Sequence, residues 1–171
     1  NRKSEKTNGI SDRKVWLITT LFLSLFVSGI YFFYQFMQKY SYETYLKDAQ
    51  SCYELEQYEC AIINSNQAEE FNPFGTELLE LKGDLFLNYY RNLKRANDHY
   101  SLAIKNEKEE KRIPYLLLKR AKVFQKQGNI ELCMKDLLQT YESNLDSVSF
   151  FLAELYNYEE HDYPLAIEFY L

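Results

Sequence analysis

Residues 45–73 read YLKDAQSCYELEQYECAIINSNQAEEFNP, and this stretch decides the fold class. Ala61 and Ala68 stand seven residues apart, or two helical turns, so they share one face of a helix. Small side chains at such positions let two helix backbones approach closely. Asn72-Pro73 is a turn or helix-end signal. The stretch therefore predicts two helices joined by a short connection, with Ala49 as the small contact residue of the first helix.

Small residues recur at matched places about every 34 residues, which is the period of helix–turn–helix repeat arrays. The first series is Ala49, Gly83, Ala121 and Ala153, and the second is Ala61, Ala96, Cys133 and Ala166. A single unit of this kind cannot bury its own apolar face, so successive units are expected to stack into one continuous core. We expect larger side chains to fill the space between the helices, namely Tyr45, Phe86, Leu117 and Phe150. A generic helical bundle is the alternative.

These residues resemble the pattern of the tetratricopeptide repeat (TPR) family. The first unit carries Tyr45, Ala49, Cys52, Tyr58, Ala61, Ala68 and Pro73, and the third unit contains the Gly128-Asn129 turn. The resemblance implies an all-α fold built as a right-handed solenoid of TPR helical hairpins. Its three repeats cover residues 41–74, 76–108 and 114–145, and a partial fourth covers 147–171. The second unit departs from the pattern by ending in a charged connector, Glu107–Arg112, which we expect to be a solvated loop.

The segment before the repeats has the length and composition of a membrane span. Residues 15–38 contain no charged side chain, and as a helix they would extend about 36 Å at about 1.5 Å per residue. A bilayer's hydrocarbon core is about 30 Å thick. Trp16 stands near one end and Tyr34 and Tyr40 near the other, as in an interfacial aromatic belt. We predict a single uncleaved transmembrane helix at 15–38; a cleaved signal peptide and a buried core helix are the alternatives.

Basic residues beside the span predict its orientation. More of them precede the span than closely follow it: Arg2, Lys3, Lys6, Arg13 and Lys14 come before, and Lys39 and Lys47 after. Because cytoplasmic flanks carry the excess of Lys and Arg, residues 1–14 are expected to form a cytoplasmic basic tail. The protein would then cross the inner (cytoplasmic) membrane once, with its TPR domain in the periplasm. In a eukaryote the repeats would face a lumen or the intermembrane space.

Composition and motifs disfavour chemistry in this chain. A net charge of −5 with dispersed Lys and Arg argues against a nucleic-acid partner. The five glycines form no phosphate-binding loop. Cys and His show no spacing typical of a metal site, and neither His99 nor His161 has a nucleophile at a recognisable spacing. We therefore predict no catalytic residue, no cofactor, no metal and no small-molecule substrate, and we do not expect an enzyme.

The three cysteines have two different environments in the predicted fold. Cys133 occupies a small-residue position between helices, where a buried free thiol is expected. Cys52 and Cys60 lie on opposite arms of the first hairpin. An oxidising compartment would permit a disulfide between them, but disulfide geometry is demanding, so both states stay open.

In the TPR family the first helix of each repeat lines a concave groove, so the resemblance implies a protein-binding groove here. The residues that it places there are Glu43, Leu46, Gln50, Tyr53 and Glu54 from the first unit, Glu77, Glu80, Asp84, Leu87 and Asn88 from the second, and Tyr115, Leu118, Lys122, Gln125 and Lys126 from the third. The groove is then acidic near the membrane and basic further along. A solvated face without a ligand is the alternative for any one of these residues.

Together these features predict a non-enzymatic, membrane-tethered TPR scaffold whose partners are other protein subunits of an extracytoplasmic complex. The chain resembles the membrane-anchored TPR proteins of the periplasmic collar around spirochaete flagellar motors. The resemblance lies in the architecture and in an amino-acid composition typical of AT-rich genomes, with frequent Lys, Asn, Tyr, Phe and Ile. The alternative is a client- or chaperone-binding TPR module at a secretion or import channel. An extended apolar surface would favour the scaffold, and an open, polar groove would favour the client receptor.

The last unit ends at Leu171, inside its second helix. The apolar face of Ala166, Ile167 and Tyr170 would then lack the capping element that repeat arrays need. We expect further helical repeats beyond Leu171, or a partner, to cover this face.

Overall fold

The computed structural model describes residues 12–141, 146–158 and 163–170. Over these residues the fold is all-α, and the chain divides into two units, residues 1–41 and 42–171. The helices are α1 (Asp12–Glu54), α2 (Tyr58–Phe71), α3 (Thr76–Asn88), α4 (Leu93–Asn106), α5 (Ile113–Lys126), α6 (Ile130–Tyr141), α7 (Asp146–Tyr158) and α8 (Tyr163–Tyr170). A short 3₁₀ turn, Glu110–Arg112, precedes α5. The expectations above for residues 1–11, His161 and Leu171 lie outside the described residues.

The N-terminal unit consists, where it is described, of the first part of α1. Its large apolar side chains from Val15 to Met37 are exposed, and the mean hydropathy reaches 2.0 in a stretch of which none is buried. A helix this long and apolar has the properties of a membrane anchor or of a signal sequence. A core helix would be mostly buried, so that alternative does not fit. The predicted boundaries at 38 and 41 fall within α1, which has no helix end there.

Four serine and threonine hydroxyl groups lie within this apolar stretch, and each is hydrogen-bonded to its own helix. Thr19, Thr20, Ser24 and Ser28 donate to the carbonyl oxygen three residues earlier, at 2.8–3.0 Å. An unsatisfied polar group is costly in hydrocarbon. The internal bonds therefore lower the free-energy cost of placing this segment in a lipid core.

The C-terminal unit is built from antiparallel helix pairs that pack in sequence order. From α2 onward, each helix packs against the next one along the chain. Residues 42–54 of α1 belong to this unit, and their Leu46 and Ala49 share a buried cluster with Ala61 of α2 and Leu78 of α3. Further clusters follow along the array. The core is therefore a series of contacts between sequence neighbours.

Every member of the two small-residue series is buried, which confirms their prediction as core positions. The residues with no exposed surface are Ala49, Ala61, Ala96, Ala121, Cys133 and Ala153, and Ala166 and Gly83 are also buried. Of the larger residues expected between the helices, Leu117 is buried, and Tyr45 and Phe86 are half-buried.

The prediction that Phe150 fills the space between helices is wrong, because its side chain is 56% exposed. Ala153 follows Phe150 by only three residues, whereas Ala121 follows the buried Leu117 by four. One residue rotates a side chain by about 100° around a helix of 3.6 residues per turn. Phe151 is buried in the core cluster instead.

Gly83 of α3 lies directly against the ring of Tyr100 of α4. A Cβ atom at position 83 would lie 2.6 Å from Cε1 of Tyr100, well inside the distance at which carbon atoms overlap. Tyr100 is fully buried and shares a cluster with Ala96 and Val123, so its ring has little room to move. The absence of a side chain at Gly83 is therefore what lets α3 and α4 pack.

A largely buried ion pair joins α5 to both of its neighbours. Arg120 donates hydrogen bonds of 2.7 and 2.8 Å to the carboxylate of Asp136 on α6, and one of 3.1 Å to Ser101 on α4. Asp136 is 3% exposed. The bidentate geometry compensates for the loss of water around both charges. It also fixes the rotation of α5 between α4 and α6.

Among the helix connections that the structure describes, those after α1 and α5 share one hydrogen-bonding pattern. After α5, Gly128 has a φ of 73°, the Asn129 N–H donates to the Phe124 carbonyl, and the Gly128 N–H donates to the Gln125 carbonyl, each at 2.9 Å. This is a Schellman motif, and the predicted Gly128-Asn129 turn is confirmed. After α1, Glu56 takes the same left-handed position with a φ of 57°. A glycine is thus used at one turn and a strained glutamate at the other.

Gly83→Ala is expected to lower the free energy of unfolding, because the added methyl group would overlap the Tyr100 ring. Overpacking of a core costs about 1–3 kcal/mol. Urea titration of the purified protein, followed by circular dichroism, measures the change. In a double-mutant cycle with Tyr100→Leu, the smaller side chain should absorb most of that cost. A Gly83→Ala variant as stable as the wild type would show that α3 and α4 pack in another register.

Candidate interaction cleft

Residues of α1, of α3 and of the 3₁₀ turn that precedes α5 line an open cleft of about 500 Å³, which we call the α1–α3 cleft. Ala49 and Leu78 turn one side of α1 and α3 into the core, so polar residues on another side of the same helices are left at the cleft. The lining residues are Gln50, Tyr53, Glu54, Glu77, Glu80, Leu81, Asp84 and Arg112. The structure thus brings together the predicted groove residues Gln50, Tyr53, Glu54, Glu77, Glu80 and Asp84.

Lys119 of α5 neutralises part of the acidic wall that α3 presents to this cleft. Its Nζ atom lies 2.6 Å from the Asp84 carboxylate and 2.7 Å from the Glu80 carboxylate. Burial alone would lower the pKa of Lys119, but the two carboxylates raise it above its ordinary value. Lys119 therefore stays charged, and the three groups hold α3 against α5.

Tyr100 adds a neutral donor to the same network. Its hydroxyl donates a hydrogen bond of 2.6 Å to the Asp84 carboxylate. Burial, followed by the nearby negative charge of Asp84, raises the pKa of Tyr100 far above its ordinary value. The hydroxyl therefore keeps its proton, and Asp84 receives one bond from α4 and one from α5.

The charged connector that follows α4 is anchored at both ends, which corrects the expectation of a solvated loop. The Glu107 carboxylate accepts hydrogen bonds from the N–H groups of Lys108 and Glu109, at 2.9 and 3.0 Å. Its other oxygen lies 3.2 Å from Arg112, which also contacts Glu80 at 2.8 Å. The side chain of Glu107 is only 5% exposed. The solvated part is confined to the residues between Glu107 and Arg112.

Tyr53 lines one edge of the cleft, and its contacts with Tyr58 and, through it, Tyr89 join the first hairpin to the end of α3; we call these three rings the tyrosine edge. The Tyr53 hydroxyl accepts a hydrogen bond of 2.6 Å from the Asn88 side chain. The Tyr53 and Tyr58 rings meet edge to face with centroids 5.8 Å apart, and Tyr58 stacks on Tyr89 at 5.1 Å. Tyr89 in turn donates to Glu59 at 2.9 Å. These contacts give the α1 side of the cleft a defined position against α3.

The structure joins Cys52 and Cys60 by a disulfide, which settles the alternative that the sequence left open. Their Cα atoms are 5.7 Å apart, within the usual range for a disulfide. Cys133 is a buried free cysteine, as predicted. Burial, with a further contribution from the charge of Asp136, raises the pKa of Cys133 to about 11.

The remaining predicted groove residues do not line the α1–α3 cleft. The placement of Leu46 is corrected, because it is 4% exposed and packs in the core three residues before Ala49. Leu87, Asn88 and Lys126 line a second depression, together with Arg91 and Leu93. Leu118 is half-buried against the core of the last helices. Four others lie at exposed positions: Glu43, Tyr115, Lys122 and Gln125.

His99 is a packing residue in this structure. Its ring stacks on Phe86 with centroids 5.1 Å apart, and burial, reinforced by the positive charge of Lys82, lowers the pKa of His99. Within the described ranges, His, Cys, Asp and Glu side chains form no group of three or more that could hold a metal ion.

Sequence reasoning missed Arg112, Lys119 and Tyr100 as parts of the cleft network. Lys119 and Asp84 are 35 residues apart, so their meeting depends on how α3 and α5 are rotated about their axes. The repeat period of about 34 residues was the available signal in the sequence, because it separates equivalent positions in neighbouring units and is close to the separation of this pair.

A scan against models of known protein families matches none of them, and a search of the curated proteins finds no match.

Glu107→Gln is expected to make the protein less sensitive to acid. Burial would raise the pKa of Glu107, but the N–H groups of Glu109 and Lys108, then Thr76 and Arg112, hold it below its ordinary value of 4.5. The charged form therefore stabilises the fold fully above that value, and the contribution is lost as pH falls through the lowered pKa. Urea titrations between pH 7 and pH 3 should show a smaller loss of stability for the variant than for the wild type.

Glu109→Gln is the matched control for this experiment. Glu109 is exposed in the same connector, and its ion pair with the exposed Lys111 spans 3.5 Å. Exposed pairs contribute little to stability, so its substitution should leave the acid sensitivity unchanged. Equal acid sensitivity of Glu107→Gln and wild type would contradict the proposed anchoring role of Glu107.

Proposed function

We propose that this chain is a non-enzymatic, membrane-tethered scaffold of TPR helical hairpins that holds other protein subunits of an extracytoplasmic complex. The proposal rests on two features of one chain. These are an exposed apolar helix and an array of helix pairs stacked through buried small residues. Arrays of this kind present extended surfaces to protein partners. The periplasmic collar of a flagellar motor is the setting that the architecture suggests.

The first support for tethering is the character of residues 15–38. Their apolar side chains are exposed along the helix, and their serine and threonine hydroxyl groups are bonded within the helix. We propose that this segment is an uncleaved anchor with a cytoplasmic N-terminus. An anchor confines the array to the membrane surface, which raises the effective concentration of partners on the same surface. Modest affinity at the array could then hold a complex together.

The α1–α3 cleft suggests the chemistry of a partner segment. Its lining includes the acidic residues Glu54, Glu77, Glu80 and Asp84. Arg112 and Lys119 pair with the last three of these, which leaves a net negative lining. Tyr53, the member of the tyrosine edge that lines the cleft, adds aromatic surface for an apolar side chain. A segment that offers Lys or Arg beside an apolar residue would complement both features.

A client-binding module at a secretion or import channel is the second candidate, and one observation favours it. The cleft is open and lined mainly by polar side chains, among them Gln50 and Glu54. A receptor for transient clients needs such a groove, whereas a permanent scaffold would bury an apolar surface against its partner. The two functions therefore differ in the lifetime and number of their complexes.

The proposed topology predicts which engineered cysteines a membrane-impermeant thiol reagent can reach. In a Cys133→Ser background, Lys47→Cys should react in intact cells, because it follows the anchor. Lys14→Cys precedes the anchor and should react only after lysis. Both positions are exposed, so access differs only through the membrane. Labelling in the reverse pattern would overturn the orientation, and release of the protein by alkaline carbonate would show that residues 15–38 do not anchor it.

Site-specific photocrosslinking in native membranes tests the partner role. A photoreactive residue in place of Gln50, in the cleft, should yield an adduct with another protein. The same residue in place of Asn66, exposed on α2, is the control and should give far less. One abundant adduct that also co-purifies in mild detergent indicates a scaffold, and several short-lived adducts indicate a client receptor. No adduct at Gln50 above the Asn66 level would contradict both functions for this cleft.

A further inference from the structure

We propose that the Cys52–Cys60 disulfide is a redox-sensitive cross-link that holds the α1 side of the α1–α3 cleft in place. In the oxidised protein it fixes the end of α1 against the start of α2. Reduction by a dithiol releases this connection and loosens the tyrosine edge, while the helices further along stay packed. The proposal concerns the protein's own dynamics and does not depend on whether the cleft binds a partner.

The position of the disulfide supports a local role. Cys52 lies in the last turn of α1 and Cys60 in the first turn of α2. The connection between these helices turns at Glu56, a non-glycine residue with a φ of 57°. Such a backbone conformation is unfavourable for a residue with a side chain. The disulfide across this turn therefore stabilises a connection whose backbone conformation is unfavourable by itself.

Each cysteine is close in sequence to a tyrosine that contacts the neighbouring helix. Tyr53 follows Cys52 and is bonded to Asn88 of α3. Tyr58 precedes Cys60 by two residues and stacks on Tyr89. The bond thus fixes the spacing of the two rings, which meet edge to face. Freeing the two ends of the turn would let both rings move relative to α3.

The disulfide is accessible, whereas the third cysteine is not. Cys52 and Cys60 are each partly exposed, which thiol–disulfide exchange requires. Cys133 has no exposed surface, and its thiolate, the reactive form, is scarce at neutral pH. Redox chemistry is therefore directed to the first hairpin, and Cys133 serves as an internal control.

The reaction is an ordinary two-electron exchange with a dithiol. One thiolate of the reductant attacks a sulfur of the Cys52–Cys60 bond, which breaks and releases the other cysteine as a thiolate that takes up a proton. The second thiol of the reductant loses its proton and attacks the mixed disulfide, which releases the remaining cysteine. The protein gains two electrons and two protons, and the reductant becomes a disulfide.

Hydrogen–deuterium exchange of the full chain in detergent, with and without dithiothreitol, tests the proposal. Reduction should raise amide exchange about tenfold or more in residues 50–61, and leave residues 116–137 of α5 and α6 unchanged. Cys52→Ser/Cys60→Ser should exchange like the reduced protein and no longer respond to dithiothreitol. Cys133→Ser should respond like the wild type.

Three results would overturn the proposal. Unchanged amide exchange at residues 50–61 after reduction, with the free thiols verified by mass, would show that the disulfide does not restrain the connection between α1 and α2. An equal rise across α5 and α6 would show that the bond supports the whole fold. Free thiols at Cys52 and Cys60 in protein isolated without reductant would show that the native protein does not use the bond.

Discussion

The whole array depends on close approach between helices that are neighbours in sequence. That approach requires positions with almost no side chain, and Ala61, Ala96 and Gly83 supply them. The contact of Gly83 with Tyr100 shows how far this goes, since not even a methyl group fits at position 83. Dispersion forces fall steeply with distance, so these small residues allow larger neighbours to make full contact.

Charged groups then set the rotation of the helices that the small residues bring together. Arg120 holds α5 to α6 and α4 through Asp136 and Ser101. Lys119, on the same helix, holds α3 through its pair with Asp84. Two adjacent residues of α5 thus reach in different directions. The acidic residues of the cleft therefore have a structural role besides any role in binding.

The sequence predicted those features that depend on local spacing. The separation of seven residues between Ala61 and Ala68 predicts that they share a helix face. Gly128 predicts a helix end because glycine readily adopts the left-handed conformation required there. Features that depend on helix rotation were not predictable in this way. The pair of Lys119 with Asp84 needs two non-adjacent helices to be aligned, and Phe150 was misplaced by a shift of a single residue.

Burial of charge was the second source of error. Glu107 reads as part of a solvated run of charges, yet its carboxylate accepts hydrogen bonds from the two backbone N–H groups that follow it in the connector. Amino-acid composition does not distinguish a carboxylate that accepts backbone hydrogen bonds from one that is solvated. The cleft itself was only partly anticipated, because Leu46 was counted as surface although it shares the inner side of α1 with Ala49.

The packing of each helix against its successor also bears on how the chain acquires its structure. Contacts between elements that are close in sequence need little loop closure, and chains rich in them fold quickly. Each new helix finds its partner already made, so the array can grow from its first pair in the order of synthesis. Under the proposed topology the array would cross the membrane as an extended chain and emerge in that same order. Its earliest segments can become ordered without waiting for distant ones, which shortens the exposure of apolar surface to aggregation.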